Sequence, residues 1–351
     1  MRAKPIIGGV AVALILGTAG AIAQELPRTQ LKVIGLQSHL NSFKTGEKPF
    51  WEERIPKASN GQVTAQLTAQ DVHGLKGTEI LRLMKLGVID FSSGVITYMS
   101  GDSPVFEGFD LAALSPDMAT TRKISDAYRP VLASAMEQQY GAKLLMLFPS
   151  PPQVFWCRVP IKGADDLKGR KVRVFNKSMA DLVTGLGATS VTMPFGEVTP
   201  SLERGVIDCA ITGTLSGNTA KLYEVTKFLY PLYSGFAMHF HAVSLASWNK
   251  LSPPVQQFLI KEFDAFNERL WQTVGEEERD GINCSIGQGE CKYGYKGNMT
   301  LVNVSAADHA RAKKIVADVI LPDWAKRCGR DCVRSWNDTV GKVLNVSLPV
   351  N

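Results

Sequence analysis

Past its first 25 residues the chain has no apolar run that approaches the length of a membrane span, which needs about 20 such residues, so no later segment reads as a membrane crossing. It also lacks several catalytic signatures. No G-x-S-x-G elbow is present; GTLSGN has a serine among glycines, but without the elbow's spacing. Neither G-x-G-x-x-G nor G-x-x-x-x-G-K-[ST] occurs, which argues against nucleotide chemistry. The 5 histidines do not group with cysteines at ligand spacing, which argues against a zinc site. No acid pair stands out for glycoside cleavage: Glu197 reads as a helix-start acid and Asp208 as a strand-end residue. Charge of one sign is scarce too. The formal +6 falls to +4 without Arg2 and Lys4, and the excess is scattered among acids. A nucleic-acid surface needs a basic stripe with interleaved aromatics, so none is expected, and what remains is a weak attraction for small anions.

The apolar run that is present lies at the start. In MRAKPIIGGVAVALILGTAGAIAQE a basic start, an apolar core and Ala21-Ile22-Ala23 form a secretory signal cut after Ala23. The mature protein is therefore expected in an exported compartment, where six cysteines raise the question of disulfides. Cys284 and Cys291 flank SIGQGE, and Cys328 and Cys332 flank GRD; both read as short local staples. Cys157 and Cys209 lie in the strand-like runs FWCRV and VIDCAI, where buried thiols and an inter-strand bridge are equally compatible with the pattern. None has the C-x-x-C spacing of a thiol redox enzyme.

At 351 residues, 45% hydrophobic, the chain suits two lobes. LKVIGL, QVTAQLTA and the run from Val88 to Phe91 alternate with helical stretches, and the order strand, helix, strand, helix, strand predicts a parallel, helix-covered sheet. A helix over about 120–140 stops at Gly141, AKLLMLF follows as a buried strand, and Ser150-Pro151-Pro152 marks a crossover. The alternation then repeats through KVRVF, SVTM and GVIDCAI. HFHAVSLAS reads as a return strand, Ser252-Pro253-Pro254 opens a long helix, and LVNV and a helix through about Trp324 complete the tail. The expected organisation is a signal peptide at 1–23, a first lobe at 24–152 joined by part of 240–351, a second lobe at 153–239, a buttressing helix at 253–283 and an extension at 284–351. Two α/β lobes crossed more than once make a hinged body that closes on a ligand.

One residue breaks the apolar pattern. In GRKVRVFNKS, Val172 and Val174 point one way and Lys171, Arg173 and Phe175 the other. Arg173 stands either at a surface or at a cleft where an anion arrives. The stretch PIKGADDLKGRKVRVFNKSMADLVTGLGATSVTMPFGEVTPSLERGVIDCAITG resembles the solute-binding proteins of tripartite ATP-independent periplasmic (TRAP) transporters, the DctP-type family, with its DLKG-x-K-x-R-V strand and M-P-F-x-E-V turn. GQVTAQLTAQDVHGLKGTEILRLMKLGVIDF matches that family as well.

The resemblance implies a bilobed periplasmic receptor with a long helix spanning both lobes. It would hand a small organic acid to membrane permease subunits, with no cofactor. It places the carboxylate-gripping arginine at Arg173 and a pocket aromatic at Phe195. Thr212 falls where many members carry asparagine. Gln153 falls where relatives with carboxylated sugars have a second arginine, which argues against a ligand held by both ends. AITGTLSGN lacks the Glu-Trp variant that accompanies metal, so no metal is expected. Ser38, in the loop after the first strand, is a further candidate, because α/β sheets bind ligands beyond their carboxyl ends; His39 reads as a turn residue. Only one of Phe155 and Trp156 can face a cleft. A monomer suits delivery by opening and diffusion. The competing class is an exported hydrolase-like α/β enzyme acting on a small acid.

Overall fold

A computed structural model describes Met1 and residues 26–350. The secretory signal read at 1–23, Met1 apart, lies outside the described residues. The first lobe is built on five strands: β1 (Thr29–Gly35), β2 (Val63–Ala69), β3 (Phe91–Val95), β4 (Ala142–Phe148) and a strand that returns late in the chain, β10 (His239–Ser244). Their order is β2-β1-β3-β10-β4. Leu31 and Val33 of β1 are buried while Lys32 between them is exposed, which is the alternation that makes a strand of this sequence.

The second lobe contains β5 (Gln153–Cys157), β6 (Lys171–Val174), β7 (Thr189–Thr192), β8 (Cys209–Gly213), β9 (Phe228–Tyr230) and β11 (Thr300–Leu301). Here the order is β11-β9-β5-β8-β6-β7.

The strands read from the alternation are parallel in both lobes, and each sheet takes in one further strand that is not. β2-β1-β3 and β7-β6-β8 are parallel, but β10 runs antiparallel to β3 and β4, and β5 runs antiparallel to β8 and β9. β5 and β10 are the strands that follow the two crossings, 149–152 and 231–238. A strand that arrives from the other lobe starts at the hinge end of its sheet, whereas the helix-connected strands end there, so it must run against them. The two crossings are tied together, Ser150 N donating to Phe236 O at 3.0 Å and Gln153 N to Gly235 O at 2.9 Å. Asp110 clamps the same place, its carboxylate accepting from the backbone N–H of Phe236 at 3.0 Å and of Met238 at 3.2 Å.

All six cysteines are paired: Cys157 with Cys209, Cys284 with Cys291 and Cys328 with Cys332. The first joins residues directly opposite on β5 and β8, so of the two readings left open for them the bridge is the one found.

The long helix runs Pro253–Ile286, past the expected end at 283, so Cys284 sits inside it. It lies on the first lobe's sheet through Phe263 and Phe266, which pack on Phe50, and Trp271 Nε1 donates to Leu147 O at 3.0 Å. Beyond it the tail is helical over Ala306–Cys328 and, after a break at Gly329, over Arg330–Leu344, further than the expected end near Trp324. Trp324 and Trp336 are buried, and their indole N–H groups donate to Pro104 O at 2.8 Å and Gly108 O at 2.6 Å. With β11 in the second lobe's sheet, the extension thus binds to both lobes.

Candidate functional site

A cleft of about 260 Å³ opens between the lobes. Its walls are the segments that leave the carboxyl ends of the parallel strands: Leu36 and Gln37 after β1, Gln70 after β2, Tyr98 after β3, Phe175 after β6 and Phe195 after β7. Their convergence follows from topology, since helix-connected parallel strands all release their loops at one edge. The hinge strands complete the floor with Gln153 and His239.

Arg173 is 1% exposed and lines this cleft. Its Nε donates to Met193 O at 3.1 Å and its Nη1 to Ile211 O at 2.8 Å, so two backbone carbonyls hold the guanidinium plane. Phe175 and Phe195 flank it, with ring centroids 5.1 and 5.7 Å from the guanidinium carbon. Nη2 is buried with no hydrogen-bond partner, and no carboxylate among the described residues pairs with this charge. Burial pushes the guanidinium below its ordinary value, partly opposed by Tyr98. A buried cation without a counter-charge is costly. An arriving carboxylate removes that cost and offers the matching two-oxygen geometry.

Thr212, at the end of β8, is buried and lines the cleft, and Phe195 does so half-buried. Gln153 lines it too, with its Nε2 donating to Pro151 O at 3.0 Å, so its amide is partly committed to the hinge. Ser38 does not itself line the cleft but sits behind the lining residue Asp71. Its backbone N–H donates to Asp71 Oδ1 at 2.8 Å and its hydroxyl to Asp71 Oδ2; the neighbouring Gln37, rather than Ser38, lines the cleft. His39 stacks on Phe195 with centroids 5.5 Å apart, a contact between the two lobes. Phe155 and Trp156 do face opposite sides of β5, but both are fully buried in core clusters and neither lines the cleft. Tyr98 and His239 were missed. Tyr98 was reachable, because the strand-end rule applied to the first strand points equally to the turn after β3. His239 carried no signal, since nothing local says that a return strand borders a ligand. Among the described residues no cluster of His, Cys, Asp or Glu comes together as a metal would require.

The model of the bacterial extracellular solute-binding protein family 7 matches residues 37–320. The chain belongs to this family. Family 7 relatives of this solute-binding protein include the 2,3-diketo-L-gulonate-binding periplasmic protein of Escherichia coli strain K12. That protein is 29% identical over 271 residues, covering 77% of this chain and 82% of the relative. The C4-dicarboxylate-binding periplasmic protein of Rhodobacter capsulatus is 24% identical, covering 74% and 78% of the two chains. In fold, the family 7 protein superimposes on a Bordetella pertussis extracytoplasmic solute receptor that binds pyroglutamic acid, with TM-score 0.79, 22% identity and coverage of 89% and 99%. The two-lobed α/β architecture is therefore that of TRAP solute receptors.

Proposed function

We propose that this protein is a periplasmic receptor that closes on a small organic acid, holds its carboxylate on Arg173 and presents it to the membrane subunits of a TRAP-type permease. The observation that carries this reading is the buried guanidinium with its unpaired Nη2 in the interlobe cleft. Phe195, Thr212 and Gln153 shape the rest of the site. The relatives and the structural neighbour support the class of ligand: they bind diketogulonate, C4-dicarboxylates and pyroglutamic acid, all of them carboxylates. We read the protein as a receptor rather than an enzyme, exported by its first 23 residues and acting as a monomer without cofactor or metal.

Thermal unfolding against a panel of organic acids tests this. A ligand bound only by the native state stabilises it by about 2.7 kcal/mol at a hundredfold excess over Kd. Arg173→Ala is expected to lose roughly 2–5 kcal/mol of binding free energy, read as the ligand-induced shift against each protein's own unliganded melt. Normal carboxylate binding by that variant would refute the role of Arg173. Steady turnover of a panel compound by the purified protein would favour an exported hydrolase instead.

A further inference from the structure

Four charged side chains line the cleft: Arg173, Lys76, Asp71 and Glu197. Lys76 Nζ is paired with Glu197 at 3.3 Å on the rim, and Asp71 is engaged by Ser38. Arg173 is thus the one cation of the cleft lining without an acidic partner, and a second carboxylate on the ligand would meet two acids and no free positive charge. Inside the cleft, β10 contributes His239, which is 5% exposed and stacks on Phe148 with centroids 5.2 Å apart. Its Nδ1 is buried with no hydrogen-bond partner. His239, together with Ser150 and Ser216, also borders a smaller cavity of about 20 Å³ that runs back toward Asn41 and Glu277. A buried polar atom left unpaired beside a ligand cavity is costly until something in the cavity bonds to it.

Resting on the carboxylate reading above, we propose that the ligand is a monocarboxylate with an uncharged hydrogen-bonding group at its other end, such as an amide, lactam or hydroxyl, and that His239 selects for that group. Burial, with His241 two residues on, pushes the His239 imidazole down to about 3, so the ring is neutral. A neutral imidazole has one donor and one acceptor nitrogen, which suits an uncharged polar group and gives a second carboxylate no ionic partner. A site built around such a polar atom rejects a ligand that leaves it unpaired more strongly than it rejects a change of apolar size.

Isothermal titration with matched pairs tests the selection: pyroglutamate against cyclopentanecarboxylate, orotate against benzoate, with succinate and glutarate as dicarboxylates. In at least one pair the polar acid is expected to bind about tenfold or more tightly than its apolar mate and than either dicarboxylate. His239→Leu should weaken the polar acid by about tenfold and its mate by less than about threefold, and His239→Gln, which keeps a donor and an acceptor, should recover part of the loss. Equal weakening of both mates by His239→Leu, or tightest binding of a dicarboxylate, overturns this inference while leaving the arginine reading intact. Retention of binding by Arg173→Ala alongside an effect of His239→Leu overturns the arginine reading and leaves His239 standing. Wild-type protein that binds none of these acids overturns both.

Discussion

Glu277 sits half-buried on the long helix, and its carboxylate accepts from Asn41 Nδ2 at 2.6 Å across the base of the hinge. Burial pushes this carboxyl up to about 7 and outweighs the hydrogen bond that opposes it. Between the ordinary carboxylate value and pH 7 the folded protein therefore keeps a proton that the unfolded chain has released. Stability must fall as pH rises through that window and level off above it. The fully buried Asp110 pushes in the same direction, also to about 7. Glu277→Gln keeps the acceptor for Asn41 but cannot ionise. Relative to wild type it should gain roughly 1–2 kcal/mol between pH 5 and pH 8, allowing for partial solvent screening, as read by urea unfolding at each pH. An unchanged difference between the two proteins would show that Glu277 is ionised throughout. Residues of this kind were not legible in advance. Glu277 and Asp110 are ordinary acids in sequence, and only the hinge that packs over them makes them unusual.

At the scale of elements, Gly281 shows how one contact reverses a propensity. In an exposed helix interior Gly→Ala gains about 1 kcal/mol. Gly281 instead lies where the long helix crosses the short helix Thr214–Thr219, and a methyl group there would overlap the backbone of Thr214 and Leu215. Gly281→Ala should therefore destabilise the protein, by roughly 1–3 kcal/mol from overpacking, and a denaturant midpoint that rises instead would contradict the crossing. Elements that carry their own signals were readable. Gly141 ends the helix Met118–Tyr140 in a left-handed conformation at φ 59°, and Gly187 does the same after Lys177–Gly185 at φ 84°. β9 and β11 were not anticipated with these limits. Three residues, or two, leave too little alternation to read, and each is a strand only because a neighbour supplies its hydrogen bonds.

The whole molecule is closed in this structure. His39 stacks on Phe195, Tyr98 meets Phe175 edge-on with centroids 5.5 Å apart, and Lys76 reaches Glu197, each pair joining opposite lobes across the cleft. These contacts differ greatly in weight. Lys76 and Glu197 are each about half exposed, with side-chain exposures of 54% and 51%, and such pairs contribute about 0–1 kcal/mol. Lys76→Ala should accordingly change ligand affinity by less than about fivefold in titration calorimetry, far less than Arg173→Ala. A larger loss would mean that Lys76 holds the ligand itself and that the cleft offers two cations. Away from the mouth the lobes are joined by buried polar contacts. Glu107 accepts from Ser178 N at 3.2 Å and from Arg327 Nη2 at 2.7 Å, which ties the first lobe to the helix Lys177–Gly185 and to the C-terminal extension.

The sequence by itself determined the strand and helix alternation, the crossover at the paired prolines and the oddity of Arg173. These are set by local periodicity, by backbone chemistry and by the price of a charge among valines. Only the tertiary structure decided that two sheets would each take in one antiparallel strand, that Cys157 would face Cys209, that Ser38 would turn to Asp71, and that Tyr98 and His239 would line the cleft. Each of those depends on where residues far apart in the chain meet, and the free energy of such meetings belongs to the packed pair rather than to either segment alone.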